Sequence, residues 1–130
     1  MKAFALRIFA FTIGSVLVAP PVWADTPPKQ LTGDQLRSEF VGKTYKVDWT
    51  DGKAHDTGTE TIAADGTESV TMGGGYNDTG EWTIKGNLLC GKWKQQQGPG
   101  GCGPIYSLGD GKYLSEGKGK NKGQRTVLSQ

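Results

Sequence analysis

Only one histidine, His55, and two cysteines, Cys90 and Cys102, occur among the 130 residues. Nucleophile–base catalysis needs a positioned base, and zinc sites draw on several His and Cys ligands. Both chemistries are therefore short of players. Beyond the first two dozen residues no apolar run is long enough to span hydrocarbon. Charge of one sign is also lacking, since 15 Lys and Arg face 13 Asp and Glu. That balance gives no basic surface for nucleic acid. Aliphatic residues are sparse and 21 residues are glycine, so a chain of this size buries a modest core and gains from a covalent staple.

What is present begins with a leader. Lys2 and Arg7 precede an apolar run from Ile8 to Ala19, followed by "PPVWA". Val22 and Ala24 satisfy the small-residue rule at a cleavage site, so a secretory signal peptide over residues 1–24 is expected, cut after Ala24. No cysteine stands at the cut, which argues against a lipid anchor. Removing Lys2 and Arg7 takes the formal charge from +2 to zero. The zero is made of unlike halves. Asp48 to Glu81 holds eight acids and one lysine, and Trp82 to Gln130 holds eight bases and two acids. Either the halves pair, or one presents a face to a partner, or both are solvated strand faces.

The remainder reads as a tether, residues 25–30, and one β-rich domain, residues 31–130. In "LTGDQLRSEFVG", Thr32 and Gln35 form a capping box after the apolar Leu31. Leu36 and Phe40 share a helix face, and Gly42 ends the helix. The period then becomes two. Tyr45, Val47 and Trp49 lie on one face of a strand. "TDG" at 50–52 turns. Hairpins are expected around Asp65-Gly66, Lys85-Gly86-Asn87 and Gly109 to Gly111, and "RTVLS" closes the series. The fold class is mainly β. A short helix precedes an antiparallel meander of seven or eight strands, a small barrel or strongly curved sheet.

Cys90 falls in one strand and Cys102 opens the next, with "KQQQGPGG" in the connection. Neighbouring antiparallel strands bring such positions within bonding reach, and an exported protein with two cysteines pairs them. The spacing is not that of a C-x-x-C redox pair. A structural disulfide is expected, with Trp82 and Trp93 packed near it. His55, Asp51 and Asp56 gather in one turn, but lack the carboxylate pattern of a calcium loop. "MGGGYNDTG" is no phosphate loop, since no helix with a lysine follows it. "GKGKNKG" is a cationic loop without interleaved aromatics. No catalytic set, cofactor or metal is assigned.

"LTGDQLRSEFVGKTY", "AADGT" and "GEWTIKGNLLCGKW" with a second cysteine resemble a family of small exported proteins of Gram-negative bacteria. The resemblance spans nearly all of the mature chain. That family has no assigned function, so it implies fold and location. "GGGYNDTGEWTIKG" is also similar to a stretch of periplasmic inhibitors of C-type lysozyme. That similarity implies a contact loop near Tyr76 and Lys85. The serine before the tyrosine motif is missing here, and the cysteines sit mid-chain rather than bracketing the domain.

The expectation is a periplasmic or secreted, monomeric, non-enzymatic binding domain. It would take a small ligand or a protein and would meet a membrane only through the cleaved leader. Inhibition of a lysozyme or protease through an exposed glycine-rich loop is the alternative. Candidate binding residues are Gly74, Gly75, Tyr76 and Lys85, with Tyr76 the aromatic expected to be exposed.

Overall fold

A computed structural model of the chain describes residues 27–96, 100–117 and 121–130. The expected leader and its cut after Ala24 lie outside the described residues. Eleven elements follow in order. They are β1 (Lys29–Gln30), α1 (Gly33–Phe40), β2 (Lys43–Thr50), β3 (His55–Ile62), β4 (Thr67–Met72), β5 (Asn77–Lys85), β6 (Leu88–Trp93), β7 (Gly101–Gly103), β8 (Ile105–Gly109), β9 (Lys112–Glu116) and β10 (Arg125–Ser129). No helix among the described residues is long and apolar enough to cross a membrane.

The helix forms where the capping box stands. The Thr32 hydroxyl accepts from the Gln35 N–H at 3.3 Å, and the Gln35 side chain accepts from the Thr32 N–H at 3.0 Å. Two orphan donors of the first turn are thereby satisfied. Gly42, at φ +77°, turns the chain out of the helix, and its N–H donates to the Ile62 carbonyl at 2.7 Å.

All ten strands join one antiparallel sheet in the order β1-β8-β9-β10-β2-β3-β4-β5-β6-β7. It is strongly curled, a half-barrel. Ten strands form where seven or eight are expected, for two physical reasons. First, the supposed tether is ordered at its end, where Lys29 and Gln30 pair with Ser107 and Tyr106. The Leu31 N–H continues the ladder to the Ile105 carbonyl at 2.8 Å. Second, Pro104 divides what reads as one strand. A proline has no N–H for a ladder, and the chain changes partners at it. Before Pro104, β7 pairs with β6; after it, β8 pairs with β9 and β1. The curl thus brings the far end of the sheet, β7, to within one residue of β8.

Register assigns the faces. Tyr45, Val47 and Trp49 of β2 oppose Glu60, Gly58 and Asp56 of β3. Glu60 and Ile62 oppose Val70 and Glu68 of β4. Glu68 opposes Gly80 of β5, which opposes Trp93 of β6. Because side chains alternate across a strand, these positions share the concave inner face. The core occupies one part of that face, where Leu31, Leu36, Phe40, Tyr45, Val47, Ile62, Ile105, Tyr113 and Leu128 cluster. The α1 helix covers it. Leu36 and Phe40 are fully buried. The Phe40 ring stacks on Tyr45 at 4.8 Å and meets Tyr113 edge-on at 4.9 Å. The Tyr45 hydroxyl donates to the Glu39 carbonyl at the helix end.

Cys90 and Cys102 form a disulfide between directly opposed residues of β6 and β7, with Cα atoms 3.9 Å apart. Trp82 and Trp93, expected near this bridge, are set by strand parity on the other face from Cys90, although Trp93 and Cys102 line one cavity. Cys90 opposes Thr83, whereas Trp82 opposes Gly91 and Trp93 opposes Gly80. The parity of the strand puts both indoles on the inner face and Cys90 on the outer one. Trp82 anchors instead to the β3–β4 turn, its Nε1 donating to the Ala63 carbonyl at 2.8 Å.

Candidate functional site

The part of the inner face that α1 leaves bare holds a cavity of about 500 Å³. Leu89, Trp93, Ile105 and Leu128 supply its apolar wall. Ser115, Thr126, Gln96 and Asn121 add neutral polar groups, Glu60, Glu68 and Glu116 supply carboxyls, and Lys92 also borders the space. The cavity meets β7 through Gly101 and Gly103. A Cβ built on either glycine meets nothing within 4 Å, so this stretch of wall faces open space.

Glu68 is the unusual member. It is 5% exposed, and its Oε1 has no hydrogen-bond partner. Two glycines make its seat. A Cβ on Gly91 would stand 2.7 Å from that oxygen, and one on Gly80 would stand 3.2 Å from it and 2.5 Å from the Lys92 carbonyl. Any larger residue at 80 or 91 would press on the carboxyl or on backbone. Glu60 is the diagonal inner-face neighbour of Glu68 across β3 and β4. Like carboxyls at that separation oppose each other's ionisation. Burial pushes Glu60 up to about 7. Burial, then the charges of Glu60 and Asp78, push Glu68 up to about 8. Near neutral pH the pair therefore carries about one proton or more. Among the described residues neither carboxyl has a salt bridge.

A third acid of the same face, Asp78, is fully satisfied. Its carboxylate accepts from the Tyr76 hydroxyl at 2.8 Å, the Thr79 N–H at 2.8 Å and the Gln95 N–H at 3.1 Å. Burial raises it, but these donors outweigh burial, and its carboxyl lies below the usual range. Tyr76 is 40% exposed. Partial burial and the bond to Asp78 push its hydroxyl up to about 12.

The residues singled out from sequence scatter. Gly74, Gly75 and Tyr76 sit together in the exposed β4–β5 turn, where the Asp56 carboxylate accepts from the Gly74 N–H at 3.1 Å and Gly75 takes φ +97°. Lys85 lies at the other end of β5, beside the Gly86-Asn87 turn. Nine residues of strand separate it from Tyr76, roughly 30 Å at the strand rise, so the two do not share a contact patch. His55, Asp51 and Asp56 do not converge. His55 Nε2 lies 3.0 Å from Asp48 Oδ1. Asp51 accepts from the backbone of Lys53 and Ala54. Asp56 holds the glycine turn.

Glu60 and Glu68 were not among the residues singled out. Their signal lay in the period-two pattern: Glu60 has the parity of Ile62, and Glu68 that of Val70 and Met72. An acid in phase with the apolar face of a strand is an acid facing inward.

No protein-family model, no curated protein and no solved structure matches the chain.

Proposed function

We propose that this chain is an exported, non-enzymatic binding domain that takes a small ligand on the bare part of its inner face. One observation carries this: a cavity of about 500 Å³, apolar on one side and bearing the inward-facing acids Glu60 and Glu68 among its polar groups, in the concavity of a curled sheet. That volume is in the range of small-molecule sites. The mix of a hydrophobic wall with a few convergent polar groups is their usual composition. Export is supported by the leader-like start of the sequence and by the disulfide, since disulfides persist in oxidising compartments. A binding role is supported by the placement of the classical catalytic residue types. Both cysteines are joined to each other, and His55 stands on an exposed strand end and is not one of the residues lining the cavity.

The test is native mass spectrometry on the mature protein, purified gently from its host's periplasm, beside a Gly103→Leu variant. Leucine at 103 enters open space rather than backbone, so the variant should fold and fill the cavity. A small co-purifying mass on the natural protein, absent from the variant, is the expected result. A mass that persists in the variant places the ligand elsewhere, and a bare natural protein argues against a carried ligand.

A second function is favoured by one observation, the exposed Tyr76 on a turn that is already rigid. The Gly74 N–H is tied to Asp56 and the Tyr76 hydroxyl to Asp78. A pre-ordered loop loses little entropy on docking, as inhibition of a lysozyme or protease through this loop would need. Failure to inhibit C-type lysozyme or periplasmic proteases at micromolar protein would remove it.

A further inference from the structure

We infer that the ligand of the cavity is an organic cation, an ammonium or guanidinium group on an apolar body, with its charged end between Glu60 and Glu68. The inference rests on the binding-domain reading above and names its ligand class.

Three observations converge. The first is the orphan oxygen. Glu68 is 95% buried by its 5% exposure, lines the cavity, and offers Oε1 to no donor. A buried carboxyl without a partner is costly, and the cost is relieved by a donor that also carries positive charge. The second is that no cation among the described residues forms a salt bridge with either acid. From β3 the group facing Glu68 is Glu60, and from β5 it is Asp78, already occupied by Tyr76 and backbone amides. On β6 the inner positions are Gly91 and Trp93; Lys92 opposes Glu81 and also borders the cavity, but forms no salt bridge with Glu60 or Glu68. From β9 and β10 come Ser115 and Thr126, which are neutral, and Glu116, a further acid. With no salt bridge to either acid among the described residues, the pair is open to a positive charge from a ligand. The third is the seat. Gly80 and Gly91 give up their side chains where the carboxyl rests, so the wall is shaped around an acid rather than around an apolar residue.

The remaining wall sets the body of the ligand. Trp93 offers an indole, whose face attracts cations and whose edge packs aromatics. Leu89, Ile105 and Leu128 demand apolar contact. A bare metal ion would satisfy the carboxyls but leave this wall unused. An arylalkyl amine uses both.

The pair tryptamine and tryptophol isolates the charge, since the two differ by an ammonium in place of a hydroxyl. Isothermal titration on the disulfide-bonded mature chain at pH 8.5 should give tryptamine an affinity at least about tenfold above tryptophol. Glu68→Gln and Glu60→Gln should each abolish most of that preference, and Gly103→Leu should abolish binding of both compounds. At pH 7, titrations in buffers of different ionisation enthalpy should show proton release on amine binding, and the preference should shrink at pH 5.5 as the carboxyls take up protons. Circular dichroism and thermal melts establish that the Gln variants fold.

Equal affinity for amine and alcohol would overturn the cation and leave the binding cavity standing. Amine binding that survives Gly103→Leu, or that both Gln variants leave unchanged, would place the cation on the outer acidic surface and overturn the inference. Calcium or zinc binding at this pair in place of the amine would overturn it in favour of a metal. No heat with either compound at millimolar concentration overturns it as well. In that event the co-purification experiment above decides separately whether the cavity carries any ligand.

Discussion

The two parts of the inner face are built from the same strands and differ in what covers them. Under α1, Phe40, Tyr45 and Tyr113 form a three-ring cluster with Leu36, Ile62 and Leu128. Beyond the helix, the same faces of β3, β4 and β6 turn to Glu60, Glu68, Gly91 and Trp93 around a cavity. Leu128 and Ile105 belong to both and mark the border. One short helix thus divides a curled sheet into a part that supplies stability and a part that can bear unsatisfied polar groups. A lean chain tolerates a costly acid pair because the covered part and the staple are dense enough to hold the sheet.

If that division holds, the largest effects on stability come from the covered part. Phe40→Ala removes the ring that contacts both tyrosines and should cost about 3–5 kcal/mol, as for buried aromatics elsewhere. Against a total of roughly 5–15 kcal/mol for a domain, the variant should be partly unfolded at 37 °C. Urea unfolding followed by tryptophan fluorescence reads it. A loss under about 1 kcal/mol would mean that α1 is an appendage rather than the lid of the core.

Next comes the staple. The disulfide closes a short ring between β6 and β7 beside the cavity, which Cys102 borders. Replacing both cysteines by serine should cost about 3 kcal/mol in the chain-entropy description. It should also loosen β7 more than any other strand. Among the described strands β7 pairs with β6 and with no other. Hydrogen exchange on the reduced protein should show early loss of protection at Leu89 to Gly91 and Gly101 to Gly103, with the α1 end still protected. Uniform loss would erase the distinction between the two parts.

Much of this architecture was legible beforehand, because it rests on local chemistry. The capping box at Thr32 and Gln35, the hairpins around Asp65-Gly66, Lys85-Gly86-Asn87 and Gly109 to Gly111, and the pairing of Cys90 with Cys102 are short-range signals. Pro104 marked a break in a ladder but not the change of partners across it, and the pairing of Lys29 and Gln30 was not legible, since both depend on which strands the curl brings together. The candidate site was missed for a different reason. Asp48 to Glu81 reads as one acidic run, whereas the fold distributes it. Asp51 and Asp65 hold turn backbone, Asp56 and Asp78 hold the glycine loop, and Glu60 and Glu68 turn inward. Charge counted along the sequence carries no face; strand parity does.

The acid pair gives the bare part its own pH signature. An acid whose folded pKa is raised is held protonated by the fold. Its stabilising effect is complete below the ordinary value of 4.5 and is lost as pH climbs through about 7 for Glu60 and about 8 for Glu68. The melting temperature should therefore fall between pH 5 and pH 9 in the ligand-free protein. Glu68→Gln keeps the shape without the charge. It should raise stability at pH 9 by roughly 2 kcal/mol and flatten the profile. A profile that rises over this range, or one that Glu68→Gln leaves unchanged, would show that water or a base already satisfies the pair, and that the bare part is no more strained than the covered one.

The smallest effect belongs to the rim. In Tyr76→Phe the Asp78 carboxylate loses one donor and keeps the backbone N–H groups of Thr79 and Gln95. The cost should be about 1 kcal/mol or less. Its pH dependence should run opposite to that of Glu68. Asp78 is held below the usual carboxylate range, so it stabilises the fold above its unfolded value and ceases to do so in acid. With one donor gone its folded pKa rises, and acid unfolding should begin at a higher pH than in the natural protein. The turn itself should lose exchange protection at Gly74 to Asn77 while the cavity strands keep theirs. If loosening of the turn instead reached Gly91 and Trp93, the rim and the cavity would be one cooperative unit. The exposed tyrosine would then report on the acid pair through Asp78, and the boundary drawn at the edge of α1 would be the only one in the molecule.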